Sequence, residues 1–248
     1  MNALRPQLEK VLETAGPAPS PPLEDSAGRL SALVRGRAGV SPVPYIECRH
    51  LDSPLVHQLC THPRLLGAAQ ALYGHDLVLW RSTFIEKAAG GPEFHWHQDW
   101  GGVFARDEQY GLEPPLSFTF WIAISESTEA NGCVQFLPGE GRVLRGEPAT
   151  PDRRATLLVP DGAVDESRVV GVPLRPGQCV VFTDRVVHAS GPNRADRNRL
   201  GLAVRFTLPA VRVRPHFLGH GCVLASGQDP LGLNLLLPPP TTVKATEG

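Results

Sequence analysis

Three side chains stand out for the chemistry they can do. His97 and Asp99 lie one residue apart in GPEFHWHQDWGG (91–102), and His188 follows far downstream. Two imidazoles and one carboxylate are the donor set that holds iron(II) on one side and leaves half an octahedron open. Arg199 comes eleven positions after His188. A guanidinium there can hold a dicarboxylate co-substrate through a two-pronged ion pair. A His-x-Asp spacing alone is a weak signal, since surface and structural roles are commoner for such residues.

The elements that must position these groups add weight. In an extended strand, side chains alternate, so His97 and Asp99 share one face while Trp96, Gln98 and Trp100 share the other. By strict alternation His95 joins the ligand face. Three consecutive same-face ligands would crowd one ion, so His95 is assigned to the surroundings or the entrance. In the second segment, 177–206, a strand ends near Phe182, Thr183-Asp184 suits a turn, and Gly191-Pro192-Asn193 forms another after His188. The next strand places Arg199, Gly201, Ala203 and Arg205 on one face and Leu200, Leu202, Val204 and Phe206 on the other. Small residues between two arginines suit a barrel interior with an occupant better than a solvated face, where Gly and Ala are poor strand formers.

The remaining chain is read around that centre. A 248-residue chain with 42% hydrophobic and 20% charged residues is globular. A net charge of -1 and scattered basic residues give no stripe for nucleic acid and no field for anionic lipid. No apolar run approaches the ~20 residues that cross a bilayer. The acid-containing N-terminus does not read as a signal peptide. Five cysteines without a CxxC pair read mostly as small reduced core residues, so a cytoplasmic location is expected.

One domain over 1–248 is expected, with a Pro-rich loop at 15–30 and a flexible tail at 238–248. Residues 2–14 suit a short amphipathic helix. A second helix over 53–73 is capped by Ser53, kinked or split by Pro63, and stopped by Gly74. Short β runs follow at 77–79, 83–87, 116–124, 133–137, 156–159, 178–182 and 200–208, which predicts a small helical layer and an antiparallel sandwich or barrel. The irregular stretch 101–115 is long enough to be a binding loop or lid.

From about His62 to Leu208 the chain resembles the phytanoyl-CoA dioxygenase family of iron(II)- and 2-oxoglutarate-dependent oxygenases. The collinear segments are HPRLLGAAQALYGHDLVL, FIEK, HWHQDW, FTFWIAISESTEANGCVQFLPG and PGQCVVFTDRVVHASGPNRADRNRLGLAVRF. The resemblance implies a mainly β fold with flanking helices, a double-stranded β-helix (jelly-roll, cupin-like) barrel. It implies that His97, Asp99 and His188 ligate Fe(II), and that Arg199, Ser190, Lys87 and Trp121 line the 2-oxoglutarate pocket. Asn193 is assigned to the turn. The reaction it implies consumes 2-oxoglutarate and O2, releases succinate and CO2, and hydroxylates an unactivated C–H bond. The same oxidant can also give desaturation or ring closure. Halogenating relatives carry a small residue at the carboxylate position, so Asp99 argues against halogenation.

The substrate is less legible. Trp96, Trp100, Glu140, Arg142 and Arg205 are candidate contacts for a small molecule. PGEGR at 138–142 departs from the family's usual PGSH. Arg205 lies roughly 20 Å along its strand from Arg199, where it meets an anionic substrate or closes the barrel end. Richness in Ala, Arg, Gly and Pro, with a single Met, hints at a GC-rich bacterial genome and secondary metabolism. Two other readings stay open: a non-catalytic jelly-roll protein that binds a small molecule, and a zinc hydrolase or isomerase on the same kind of barrel, which leaves Arg199 unexplained. The oligomeric state is left open.

Overall fold

The structure, a computed structural model, describes residues 6, 45–99, 112–114, 116–139, 159, 162–213 and 221–241. Apart from Pro6 and Val159, the helix expected at 2–14, the Pro-rich loop at 15–30 and the strand expected at 156–159 lie outside the described residues. So do Trp100, Glu140 and Arg142.

The 53–73 segment forms two helices, α1 (Pro54–Cys60) and α2 (Pro63–Tyr73). Ser53 accepts a hydrogen bond from the Val56 amide, and the break falls at Thr61–His62. Proline at the first position of α2 cannot donate the amide hydrogen that would continue α1. The His62 imidazole instead caps the new start through the Arg64 amide. Gly74 closes α2.

Two antiparallel sheets follow. The larger contains β1 (Tyr45–Glu47), β2 (Leu77–Lys87), β5 (Phe118–Ala123), β8 (Cys179–Thr183), β10 (Arg199–Thr207) and β12 (Val223–Ser226), in the order β1-β2-β10-β5-β8, with β12 also paired to β2. The smaller runs β3-β9-β6-β7, from β3 (Phe94–His97), β6 (Val134–Phe136), β7 (Val170–Val172) and β9 (His188–Ser190). A short ribbon pairs β4 (Leu112–Glu113) with β11 (Arg212–Val213). The architecture is the double-stranded β-helix.

The separate β runs expected at 77–79 and 83–87 are one strand of eleven residues. The intervening Arg81 and Ser82 look like a break in sequence, but each finds a partner: Arg81 pairs with Glu47, and Ser82 shares a hydrogen bond with the buried His50. Buried polar groups satisfied in this way do not interrupt a strand.

The alternation of β10 divides the core. Leu200, Leu202, Val204 and Phe206 join Phe118, Phe120 and Ile122 of β5 in packing under Val56, Cys60, Leu65 and Ala69 of the helices. Trp121, Ala123 and Ala203 face the other way, towards Val134, Phe136 and Phe182 inside the barrel. One strand thus stabilises the fold with one face and furnishes the interior with the other. Four of the five cysteines are buried, Cys179 is exposed, and all are unbridged.

Candidate metal centre

His97 and His188 stand directly opposite each other on β3 and β9. Their rings are 4.1 Å apart, centre to centre. The His97 Nδ1 lies 2.8 Å from the His95 carbonyl and the His188 Nδ1 2.9 Å from the Val186 carbonyl. A carbonyl can only accept, so each Nδ1 carries the hydrogen and each Nε2 presents a lone pair to the interior. Asp99 completes the group, with Oδ1 at 3.8 Å from His97 Nε2 and 3.9 Å from His188 Nε2. Among the described residues this is the one cluster of three or more ligating side chains, with its donor atoms within 4.8 Å of one another.

Electrostatics favour the metal-ready protonation states. Burial, reinforced by His188, pushes the His97 imidazole down to about 3. Burial also lowers His188. Burial by itself would raise Asp99, but Arg205, His188 and His97 outweigh it and hold the carboxyl well below its ordinary range. Two neutral imidazoles and an ionised carboxylate are the forms a divalent cation binds. The set fits iron(II), and the hydrogen-bonded Nδ1 atoms supply the outer contacts that orient ligating histidines.

Strict alternation fails at one place. Phe94 pairs with Ser190 and His97 with His188, so three steps on β3 span two on β9. That bulge turns the side chain of His95 to solvent, 63% exposed beside Glu93, while His97 stays buried. His95 is therefore off the ligand face, yet its carbonyl holds the His97 ring.

A second group lies at the start of β10. Arg199 and Lys87 are directly opposite on β10 and β2, and both are almost fully buried. Arg199 donates to the Gly132 carbonyl and lies 5.1 Å from the centre of the Trp121 ring. Gly132 has φ +74, and a Cβ there would meet the Gly191 carbonyl oxygen at 2.1 Å. Only glycine lets that turn approach closely enough to deliver its carbonyl. Lys87 donates to the carbonyls of Pro92, Ser190 and Gly191. Burial and then Arg199 push its amine down to about 7. Two basic side chains thus face each other in the interior. Ser190 is buried beside them. Asn193 shapes the adjoining turn, donating to the Lys87 and Arg197 carbonyls and accepting from the Ala195 amide.

The space above Gly201 is occupied. A Cβ on Gly201 would stand 2.2 Å from Cζ2 of Trp121, so the glycine admits the indole that covers Arg199. Trp96 packs against Leu137, Val159 and Val187. Gln98, just past the end of β3, donates to the Arg185 carbonyl. Arg205 meets Asp99 Oδ2 at 3.4 Å and the Thr83 hydroxyl at 3.1 Å. Sequence reasoning did not supply these partners. It also missed Asp184, read as a turn residue, which is buried with its carboxyl pushed up to about 7 by burial and by Asp99.

A jelly roll that presents two histidines and one carboxylate at a single point defines a class of metal-dependent barrel protein. The family described as "Phytanoyl-CoA dioxygenase (PhyH)" matches residues 45–201. The chain belongs to that family. Among similar proteins is "Dioxygenase trt7" of Aspergillus terreus, 25% identical over 59% of this chain and 47% of its own length. The mouse "Phytanoyl-CoA dioxygenase domain-containing protein 1" is 28% identical over 62% of this chain and 53% of its own. The "Ectoine dioxygenase" of Streptomyces avermitilis is 26% identical over 58% of this chain and 52% of its own. The chain thus matches about half the length of these curated relatives. Among solved structures, "CytC3 with Fe(II) and alpha-ketoglutarate" superposes with a TM-score of 0.66 at 25% identity, covering 95% of this chain and 83% of that one. The "non-heme monooxygenase; ThoJ apo" gives 0.62 at 25% identity, covering 88% and 80%.

Proposed function

We propose that this protein is an iron(II)- and 2-oxoglutarate-dependent oxygenase that hydroxylates a small molecule. The observation that carries the reading is the pairing of two preformed sites inside one barrel: the His97, Asp99 and His188 donors, and the buried Arg199 and Lys87 cations. Iron(II), with 2-oxoglutarate and O2, supplies an oxidant strong enough to break an unactivated C–H bond, with succinate and CO2 as co-products. The protein positions the partners and excludes competing reactions.

The roles of its own residues follow from their surroundings. His97 and His188 offer Nε2 because backbone carbonyls hold Nδ1–H. Arg199, stacked under Trp121, receives the distal carboxylate of 2-oxoglutarate. Lys87, opposite it, adds a second positive charge when protonated. Ser190 contributes a hydroxyl to the same pocket. Trp121 closes that pocket with an apolar wall and keeps water off the ion pair, which strengthens it.

Hydroxylation is favoured over halogenation because a carboxylate fills the third donor position at Asp99. Similarity to proteins named for a small-molecule substrate, ectoine, supports a small molecule here. The base composition implied by the amino-acid usage points to bacterial secondary metabolism. A panel of candidate small molecules incubated with protein, Fe(II), 2-oxoglutarate and air tests the reading. Succinate should appear in step with substrate gaining one oxygen. A folded, metal-loaded protein that neither binds 2-oxoglutarate nor releases succinate would contradict it.

A further inference from the structure

The two oxygens of the Asp99 carboxylate face different neighbours. Oδ1 points between the two imidazoles, 3.8 Å from His97 Nε2 and 3.9 Å from His188 Nε2. Oδ2 faces the Arg205 guanidinium at 3.4 Å. Arg205 is fixed from the other side as well, because its Nη1 donates to the Thr83 hydroxyl at 3.1 Å. Both terminal nitrogens of the fork are thereby engaged, and the side chain is only 15% exposed.

The strand register explains why this arginine turns to Asp99. On β10, Arg205 stands directly opposite Arg81 of β2 and Thr119 of β5. Like charges at facing positions repel unless each has its own counter-ion. Arg81 takes Glu47 of β1 as its partner. Among the described residues, the carboxylate that pairs with Arg205 is Asp99. Two ion pairs thus run side by side across the barrel wall, and the inner one ends on a metal ligand.

We propose that Arg205 is a positioning residue for the metal centre: anchored on Thr83, it holds Oδ2 of Asp99 so that Oδ1 alone is offered to the metal. An Asp carboxylate turns readily about its last bond. Left unheld, it can present both oxygens and take a second coordination position, or swing away. Held by one oxygen, it leaves the remaining positions for the co-substrate and O2. This role rests on the metal-binding reading above and deepens it. It differs from a substrate contact, which would leave metal affinity untouched.

The test is Mn(II) binding, followed by electron paramagnetic resonance on the full chain, without substrate or turnover. Arg205→Met, similar in length but unable to donate, should bind Mn(II) about 10–100-fold more weakly, as is usual when an outer partner of a ligand is lost. Its Mn(II) spectrum should change with it. Arg205→Lys, which keeps the charge, should recover part of the affinity. Thr83→Val should show a smaller loss, because only the anchor is gone. If either single variant melts early, the double-variant comparison decides: in an Asp99→Ala background, Arg205→Met should cost no further affinity. Equal losses in both backgrounds, or wild-type affinity and spectrum in Arg205→Met, would overturn the proposal and leave the oxygenase reading standing. Mn(II) binding insensitive to both His97→Ala and Asp99→Ala would overturn the oxygenase reading, and this proposal with it.

Discussion

Arg199 and Arg205 occupy the same face of the same strand, six positions apart, and each faces a basic residue of β2, yet their other neighbours differ. Arg199 sits beside another cation, Lys87, under an indole and against a carbonyl. Arg205 also faces a cation, Arg81, but it has a carboxylate and a hydroxyl beside it, and Arg81 pairs with Glu47. The first surroundings hold two basic side chains facing each other, the seat proposed for the carboxylate of 2-oxoglutarate. The second surroundings are already neutralised by Asp99. Residue type and strand position are therefore poor guides to role here, and the neighbours contributed by β2, β5 and the 91–99 segment decide it.

The sharpest break in that comparison comes from removing each cation in turn. Arg199→Ala should weaken 2-oxoglutarate binding by about 100-fold or more, within the range for truncating one side of a buried ion pair. Metal affinity should stay within about twofold, since Arg199 touches none of the three ligands. Calorimetry with 2-oxoglutarate and with Mn(II) measures both. An unchanged 2-oxoglutarate affinity would take Arg199 out of its role.

Gly201→Ala probes the indole that covers Arg199. The added methyl would stand 2.2 Å from the Trp121 ring, and the backbone of a central strand cannot easily yield. The expected loss is about 1–3 kcal/mol in urea unfolding, with weaker 2-oxoglutarate binding as the ring shifts. Wild-type stability would mean that the indole does not lie where the structure puts it.

The Lys87 amine, pushed down to about 7, gives the Arg199 end a pH signature. Above that pH the free site loses its second charge, so binding a dianion must draw in a proton. From pH 7 to 8 the affinity for 2-oxoglutarate should fall about fivefold, and Lys87→Met should flatten the slope. Folding responds in the opposite direction: a lysine depressed from 10.5 makes the unloaded protein gain stability as pH rises from about 7 to 10.5. Loss of affinity with falling pH over the same window would contradict this assignment.

The Arg205 end carries a smaller signature. Asp184, raised from 3.8 to about 7 by burial and by Asp99, keeps its proton in the fold. Its contribution is full below 3.8 and is lost as pH rises through about 7. Asp184→Asn should melt at a higher temperature than wild type at pH 8, and the difference should close towards pH 4. No difference at pH 8 would place Asp184 in a wetter setting.

Much of this was legible because it is local. Proline at 63 dictates the split between α1 and α2, and the alternation of β10 announces which side chains enter the barrel. The His97, Asp99 and His188 set and Arg199 stand at positions that motif spacing singles out. What stayed hidden depends on chain segments far apart. Arg205 meets a partner 106 positions away. The bulge that expels His95 breaks the alternation any sequence reading assumes. Arg81 and Ser82 look like a strand break until Glu47 and His50 are seen to satisfy them. The small residues at 201 and 203 announce room inside the barrel, but not that Trp121 fills the space over Gly201.

One measurement addresses the central claim, that a single centre built from His97, Asp99 and His188 gathers both iron and a 2-oxoglutarate held by Arg199. Fe(II) and then 2-oxoglutarate are added to the protein without oxygen, and the visible spectrum is recorded. A charge-transfer band should appear only when both are present, and should vanish in His97→Ala. In Arg199→Ala it should return only at much higher 2-oxoglutarate. Well-folded protein that binds Fe(II) yet shows no band, or a band that survives His97→Ala, would contradict the account.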